Sequence, residues 1–378
     1  MIYLDNAATT FPKPDYVYEK MDQFNRTSAV NAGRGSYGLA QEASAVVNDT
    51  KNRLRAIMHL DVDVPIVFSP SITIALNQII NGLQYRDRAN IYVSPYEHNA
   101  VARTLHKVEK EKKVTIHILP IDTETYEIDL EKTKYAFVKN KPDYIFINHV
   151  SNVTGYILPV KEIFDEGKKH GSINVLDTAQ SLGLIDFNAY EYKADIVAFA
   201  GHKCLYGPLG IGGFANVSNL NIDTYLTGGT GSDSLNLDMP DDSISKYEPA
   251  SPNIVAIAGL QAALSVLDVE KNFMAEKELT DYLVEKVSEI KKIKIFVPEN
   301  REHHVGIVSF IMEGYDSNDV GTILDEDYGI CVRTGYHCAP YIHDVIKDQK
   351  YKGTVRVGLG QFNNRNDIDE LIKALKEL

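Results

Sequence analysis

A lysine follows a glycine and a histidine in Gly201-His-Lys203, directly after the apolar run Asp195-Ile-Val-Ala-Phe-Ala200. Such a run reads as a short buried strand, which puts His202 and Lys203 in the turn beyond its end. A second turn, rich in glycine and proline, leads into another apolar strand, Gly210–Phe214. A lysine desolvated at the mouth of a sheet sheds part of its charge. Its neutral amine then attacks a carbonyl and forms a Schiff base, which an ammonium cannot do. The competing reading is a solvated loop lysine, and the neighbours have to decide between them.

One neighbour is the carboxylate in Asn174-Val-Leu-Asp177-Thr-Ala-Gln180. At the end of a buried strand it needs a cation or a hydrogen-bond network. It either caps the following helix or, where the lysine carries pyridoxal phosphate, faces a protonated ring nitrogen and makes the ring an electron sink. A phosphate then needs donors. Thr73, near a helix start, offers a hydroxyl and backbone N–H groups, and His202 and the turn Gly228-Gly-Thr-Gly-Ser232 offer more. His98 either lies over a flat ring or caps a helix.

Cys338 sits in Arg333-Thr-Gly-Tyr-His-Cys-Ala-Pro340, with His337 beside it and His343 beyond. A nearby histidine lowers a thiol's pKa and supplies thiolate. Zinc held by Cys331, Cys338 and His343 is the weaker alternative, because the spacing lacks paired short loops. Arg356 stands in the apolar strand Thr354–Leu359, where a buried guanidinium demands a carboxylate. An internal Asp or Glu, or a substrate's own carboxylate, would meet that demand.

These side chains need a scaffold, and the chain supplies alternating short strands and helices. Strands are expected at Ile2–Leu4, Pro65–Phe68, Asn90–Ser94, Val114–Leu119, Tyr144–Asn148, Ile173–Leu176 and Asp195–Ala200. Helices are expected at Asp15–Phe24, Leu39–His59, Asn99–Glu111 and Val160–His170, with another running from Thr73 toward Gly82. The glycine-rich loop Asn31-Ala-Gly-Arg-Gly-Ser36 carries Arg34. The alternation predicts an α/β chain with a mostly parallel sheet covered on both faces. Chemistry on such sheets gathers beyond the carboxyl ends of the strands. Thr73, His98, Asn152, Asp177, Gln180, His202 and Lys203 all fall there.

Thr227–Asn253 lacks periodicity and reads as a long loop, either functional or disordered. One long helical pattern begins near Ile257, and its later part spaces Leu279, Leu283, Val287 and Ile290 at helical intervals. Strands near Ile293–Val297 and Gly306–Phe310 then belong to a smaller α+β unit. The expected division is a large domain over 15–255 and a small one formed by 1–14 with 256–378.

The 378 residues suit two domains. A formal net charge of −13 speaks against a nucleic-acid binder. No apolar run reaches the roughly eighteen residues of a membrane span, and no secretory signal opens the chain. Three scattered cysteines exclude a disulfide framework and point to a cytoplasmic protein with free thiols.

With these residues in hand, the chain resembles the class V aminotransferase family of pyridoxal-phosphate enzymes, within it the group II cysteine desulfurases and selenocysteine lyases. The likeness runs from Tyr3-Leu-Asp-Asn-Ala-Ala8 to Val355-Arg-Val-Gly358. Its most specific pieces are His149-Val-Ser-Asn-Val-Thr-Gly155, Asp177-Thr-Ala-Gln180, Gly201-His-Lys203 and Arg333-Thr-Gly-Tyr-His-Cys-Ala339. The resemblance implies a fold-type I homodimer that converts L-cysteine to L-alanine and passes the sulfur onward, for instance toward iron–sulfur cluster assembly.

It further implies that Lys203 carries the cofactor and that Asp177 pairs with its ring nitrogen. Gln180 would bond the phenolic oxygen, His98 would stack on the ring, and Asn152 would line the site. Thr73 and His202 would hold the phosphate with Thr230 from the partner subunit. Arg356 would clamp the substrate carboxylate, with Asn152 and Arg333 beside it, and Cys338 would accept sulfur. Selenocysteine lysis, another β-elimination or transamination, and cofactor binding without turnover are the alternatives. Two departures from the family pattern stand at the lysine itself. Ala200 replaces the usual serine, and Cys204 is an added residue.

Overall fold

Short strands buried along their whole length can only belong to a sheet covered on both faces. In the computed structural model, which describes residues 1–32, 35–231, 235–241 and 244–378, this is what they build. Gly33, Arg34 and Ser232, singled out in two glycine-rich loops, lie outside the described residues. The chain opens with β1 (Ile2–Tyr3), α1 (Asp15–Thr27) and α2 (Gly38–Ile57). Then come β2 (Ile66–Ser69), α3 (Ile72–Gly82), β3 (Ala89–Val93), α4 (Asn99–Glu111), β4 (Val114–Ile118) and α5 (Leu130–Lys139). The series continues through β5 (Tyr144–Asn148), α6 (Val160–Lys169), β6 (Ile173–Asp177), β7 (Ile196–Ala200) and β8 (Gly212–Asn216).

Seven of these strands form one sheet in the order β2-β8-β7-β6-β5-β3-β4. All run parallel except β8, which is antiparallel to both neighbours. Along β7 the side chains alternate between two cores. Val197 and Phe199 join one, while Ile196, Ala198 and Ala200 join the other, as a two-residue repeat between helical layers requires. Phe199 is 0 % exposed. Phe199→Ala is therefore expected to cost about 3–5 kcal/mol, measured as the loss of unfolding free energy in urea.

The remaining elements are α7 (Ile254–Ser265), α8 (Val269–Ser288), β9 (Ile293–Phe296), β10 (Ile307–Met312), α9 (Ser317–Tyr328), β11 (Ile330–Cys331) and β12 (Arg333–Gly335). After them come α10 (Ile342–Ile346), β13 (Thr354–Gly358) and α11 (Arg365–Glu377). A second sheet has the order β12-β13-β10-β9. Its own core includes Leu283, Phe310, Leu324, Val355 and Leu371. β1 pairs in parallel with β11, so the N-terminus is pinned to this smaller unit as its short strand suggested.

Two elements depart most from the sequence reading. The long helix after Asn253 is two helices, because Asp268 starts α8 afresh by accepting a hydrogen bond from the Lys271 N–H at 3.0 Å. The strand expected at Gly210–Phe214 is displaced to β8, since Gly210 and Ile211 close the turn and the Gly201 N–H bonds the Ile211 carbonyl. Thr227–Asn253 carries neither helix nor strand among its described residues. We propose a two-domain division close to the expected one, with the boundary moved beyond α7. That helix packs on α1 and α2, and its Ile257 and Leu260 share the core of the large sheet.

Candidate active site

β7 ends at Ala200, and the turn that follows is held from outside by the N-terminal segment. The His202 carbonyl accepts from the Thr10 N–H at 3.2 Å, the Thr9 hydroxyl at 3.0 Å and the Lys13 ammonium at 2.7 Å. Lys13 is 8 % exposed, and burial lowers its pKa to about 8. Nothing in the sequence marked it, because its partner is 189 residues away. Lys203 itself is half-buried. Desolvation lowers its pKa, Asp177 acts against that, and Arg356 reinforces it. The sequence reading expects a desolvated amine at a strand mouth, and burial acts on Lys203 in that direction.

Asp177 closes β6 at 6 % exposure. One carboxylate oxygen accepts from the Ala179 N–H at 2.8 Å, so it closes a turn, where the plainer reading expected a helix cap and no helix lies between β6 and β7. Burial raises its pKa while Lys203 pulls it down, which places amine and carboxylate within electrostatic reach. Gln180, a few residues on, donates its amide to the Ala7 carbonyl at 2.8 Å. His98 is the N-cap of α4. Its Nδ1 accepts from the Ala100 N–H at 3.0 Å, so the ring proton sits on Nε2. Burial, with Lys203 adding to it, takes the pKa of His98 down to about 4. His202 is lowered to about 4 by the same causes, so both rings are neutral at neutral pH.

Arg356, 2 % exposed, has the internal carboxylate that its burial demanded. Its Nη2 meets Asp5 at 2.7 Å and its Nη1 donates to the Asn152 carbonyl at 3.0 Å. Its Nε has no partner among the described residues. Asp5, 351 positions distant, was not anticipated. Arg333 lies opposite Arg356 in the β12–β13 register. The Asn152 amide donates to the His337 carbonyl at 2.6 Å.

Cys338 occupies a tight turn. The Ala339 N–H bonds the Tyr336 carbonyl at 3.0 Å, and the two central residues, His337 and Cys338, have φ of 45° and 58°. Two consecutive left-handed positions favour glycine or asparagine. Holding other residues there costs about 1–3 kcal/mol each, and such strain persists only where the surroundings impose it. Here the Cys338 carbonyl accepts from the Asn99 N–H at 2.7 Å, at the first turn of α4 and next to His98. A cleft lined by Arg103, His106, Arg333, Tyr336 and Asp344 opens beside the thiol.

The other two thiols differ in kind. Burial pushes Cys204 up to about 12, so the added residue beside the lysine is inert. Cys331 is raised by burial and by Asp325. The zinc alternative would need His343 as a ligand. His343 bonds Asp348 through Nδ1 at 2.6 Å and the Tyr336 carbonyl through Nε2 at 2.9 Å. Both its nitrogens are thus engaged, and the described residues contain no group of three or more His, Cys, Asp or Glu fit to hold a metal. Thr73 is an exposed second residue of α3, whose N-cap Ser71 accepts from the Ile74 N–H. Thr230 lines a different cavity with Lys51, Phe68 and Glu248.

Glu97 precedes the His98 cap and is 0 % exposed. It accepts from the Ser94 hydroxyl at 2.7 Å and the Asn148 N–H at 2.9 Å. Desolvation pushes its pKa up to about 8, and the charge of Asp177 adds to the rise. The folded chain therefore holds a proton here that the unfolded chain releases near 4.5. The stability tied to that proton is full below the unfolded value and is lost as pH climbs to about 8. Glu97→Gln carries no such loss. Its unfolding free energy relative to the native chain is expected to rise from pH 5 to pH 8, as read by urea titrations across that range.

Residues 2–371 match the aminotransferase class-V family. The chain belongs to the class-V aminotransferases. Among curated members of that family, it is 32 % identical to a probable cysteine desulfurase of Halalkalibacterium halodurans, over 100 % of this chain and 93 % of the relative. A probable cysteine desulfurase of Pyrococcus abyssi is 30 % identical over 100 % and 94 %. The apo structure of a cysteine desulfurase from Thermococcus onnurineus NA1 superposes with a TM-score of 0.90 at 27 % identity, covering 100 % of this class-V chain and 94 % of that one. The fold is accordingly the fold-type I architecture expected from the sequence. Among the described residues no helix is long and apolar enough to cross a membrane.

Proposed function

We propose that the chain is a pyridoxal-phosphate-dependent cysteine desulfurase, converting L-cysteine to L-alanine and carrying the sulfur as a persulfide on Cys338. One observation carries this reading. The buried Arg356 guanidinium donates to the Asn152 carbonyl at 3.0 Å while the Asn152 amide donates to the His337 carbonyl at 2.6 Å, so the carboxylate-binding group is tied to the turn that carries Cys338, and its charge helps to lower the pKa of Lys203. The residues present suit pyridoxal phosphate. Asp177 is a buried carboxylate beside the lysine, and the buried His202 Nδ1, Asn152 Oδ1 and Arg356 Nε lack partners among the described residues.

Lys203 would hold the cofactor covalently, Asp177 its ring nitrogen, Gln180 its phenolic oxygen, and His98 its face. Thr73 and His202 would hold the phosphate, joined by Thr230 from a second copy of the chain. When bound, the cofactor supplies an electron sink for the pair released at the substrate's α-carbon. The chain's own groups do the rest. Arg356, with Arg333 and Asn152 beside it, orients the substrate carboxylate. The Nζ of Lys203, its charge weakened by burial, takes the α-proton. Cys338 as thiolate attacks the substrate sulfur, so that an S–S bond forms as the C–S bond breaks. The β-carbon keeps that electron pair and takes a proton, the Lys203 ammonium returns the proton to the α-carbon, and the product leaves as alanine. The persulfide then passes to an acceptor thiol. Three free cysteines suit a cytoplasmic setting.

The test is a turnover assay on the cofactor-loaded protein with cysteine and an excess of reducing thiol. Equal alanine and sulfide are expected. Faster turnover of selenocysteine or cysteine sulfinate would reassign the substrate, and transamination products without sulfide would overturn the desulfurase reading.

A further inference from the structure

Three successive carbonyls of the cysteine turn are each gripped by a different element. Asn99, at the start of α4, holds that of Cys338, and Asn152 holds that of His337. The Tyr336 carbonyl accepts from His343 Nε2 at 2.9 Å. His343 is in turn held through Nδ1 by Asp348 at 2.6 Å, with the two side chains 4 % and 0 % exposed. Each ring nitrogen faces an oxygen, a carboxyl group on one side and a carbonyl on the other. Replacing a buried ion pair by apolar groups is often neutral for folding, so stability alone does not account for this pair.

The turn supplies the reason. His337 and Cys338 both sit in left-handed backbone, which needs outside support. The grips from Asn99 and Asn152 come from elements of the large sheet, and that from His343 comes from α10, a few residues beyond the turn. We infer that His343 and Asp348 are positioning residues that clamp the Tyr336 carbonyl and so hold Cys338 where it meets the substrate sulfur. The inference rests on the desulfurase reading for its consequence and on geometry alone for the clamp.

Two side chains separate the clamp from general packing. Glutamine places an amide nitrogen near the position of Nε2 and keeps a donor on the Tyr336 carbonyl, whereas asparagine ends near Nδ1 and does not reach it. In the cofactor-loaded protein, His343→Asn is expected to speed amide exchange of the 336–341 segment about tenfold. It is also expected to lower kcat for alanine formation by about ten- to a hundredfold with KM unchanged. His343→Gln should restore both. Exchange as slow in His343→Asn as in the native chain overturns the clamp, and faster exchange with unchanged kcat overturns the positioning role. Equal damage by both variants overturns it too, because a packing role would not tell them apart. If His343→Asn does not fold, fast exchange in His343→Gln overturns the clamp by itself and slow exchange supports it. A native chain that makes no alanine sinks the desulfurase reading, and the exchange rates then decide the clamp alone.

Discussion

Lys203→Ala is expected to lower alanine formation from L-cysteine by about 10⁴-fold, the upper range for loss of a general base, because one amine serves twice. In the proposed mechanism it is the covalent anchor and also the group that removes the α-proton. Its fitness for both follows from its surroundings. Desolvation lowers its pKa, and Arg356 presses in the same direction. Asp177 opposes them, so the amine is weakened as a cation without losing its carboxylate neighbour. Borohydride reduction followed by mass spectrometry checks the anchor directly. The native protein should gain one covalent cofactor and the alanine variant none. A variant that still gains it, at any lysine, would remove Lys203 from the anchoring role. Retained turnover would remove it from proton transfer.

Cys338→Ala is expected to cost about 10³-fold in turnover of cysteine while leaving substrate binding near native, since a nucleophile held against its target is replaced by dilute thiol from solution. The loss should be smaller with selenocysteine, whose selenium needs less help in leaving. Neither remaining cysteine can substitute. Cys204 is pushed up to about 12 by burial, and Cys331 lines a separate cavity beside Asp325 and Glu326. The measurements are alanine release under saturating cysteine and the mass of the enzyme after a single turnover without reductant. The native chain should gain one sulfur atom and the variant none. An unchanged rate in Cys338→Ala would refute the persulfide role.

Much of the scaffold was legible because local rules decide it. α4 runs over the residues its pattern predicted, Asn99–Glu111, since a capping His98 and an apolar stripe act within a few residues of one another. β5, an apolar run of five with no alternation, was read to the residue for the same reason. The break between α7 and α8 was missed. There the hydrophobic pattern continues across Val266 and Leu267, and only the cap formed by Asp268 restarts the helix. Arg356 was recognisable as a charge in need of a partner, yet the partner was not. Asp5 meets it by way of a terminal segment that crosses from the smaller sheet to the lysine turn.

By itself the sequence pointed to the groups proposed here to do the chemistry. Lys203, Asp177, Arg356 and Cys338 are marked by residue type, by their place at strand ends or in glycine-punctuated loops, and by the family likeness those motifs carry. Tertiary structure alone decided what holds these groups in place. Lys13 on the His202 carbonyl, Asp5 on Arg356, Glu97 kept protonated near Asp177, and His343 on the turn of Cys338 are contacts of long reach or of loop geometry. Hydrogen bonds and buried charges act over a few ångströms of space whatever the distance along the chain. A spacing pattern records only neighbours in sequence, so the reactive groups were visible in it and most of their supports were not.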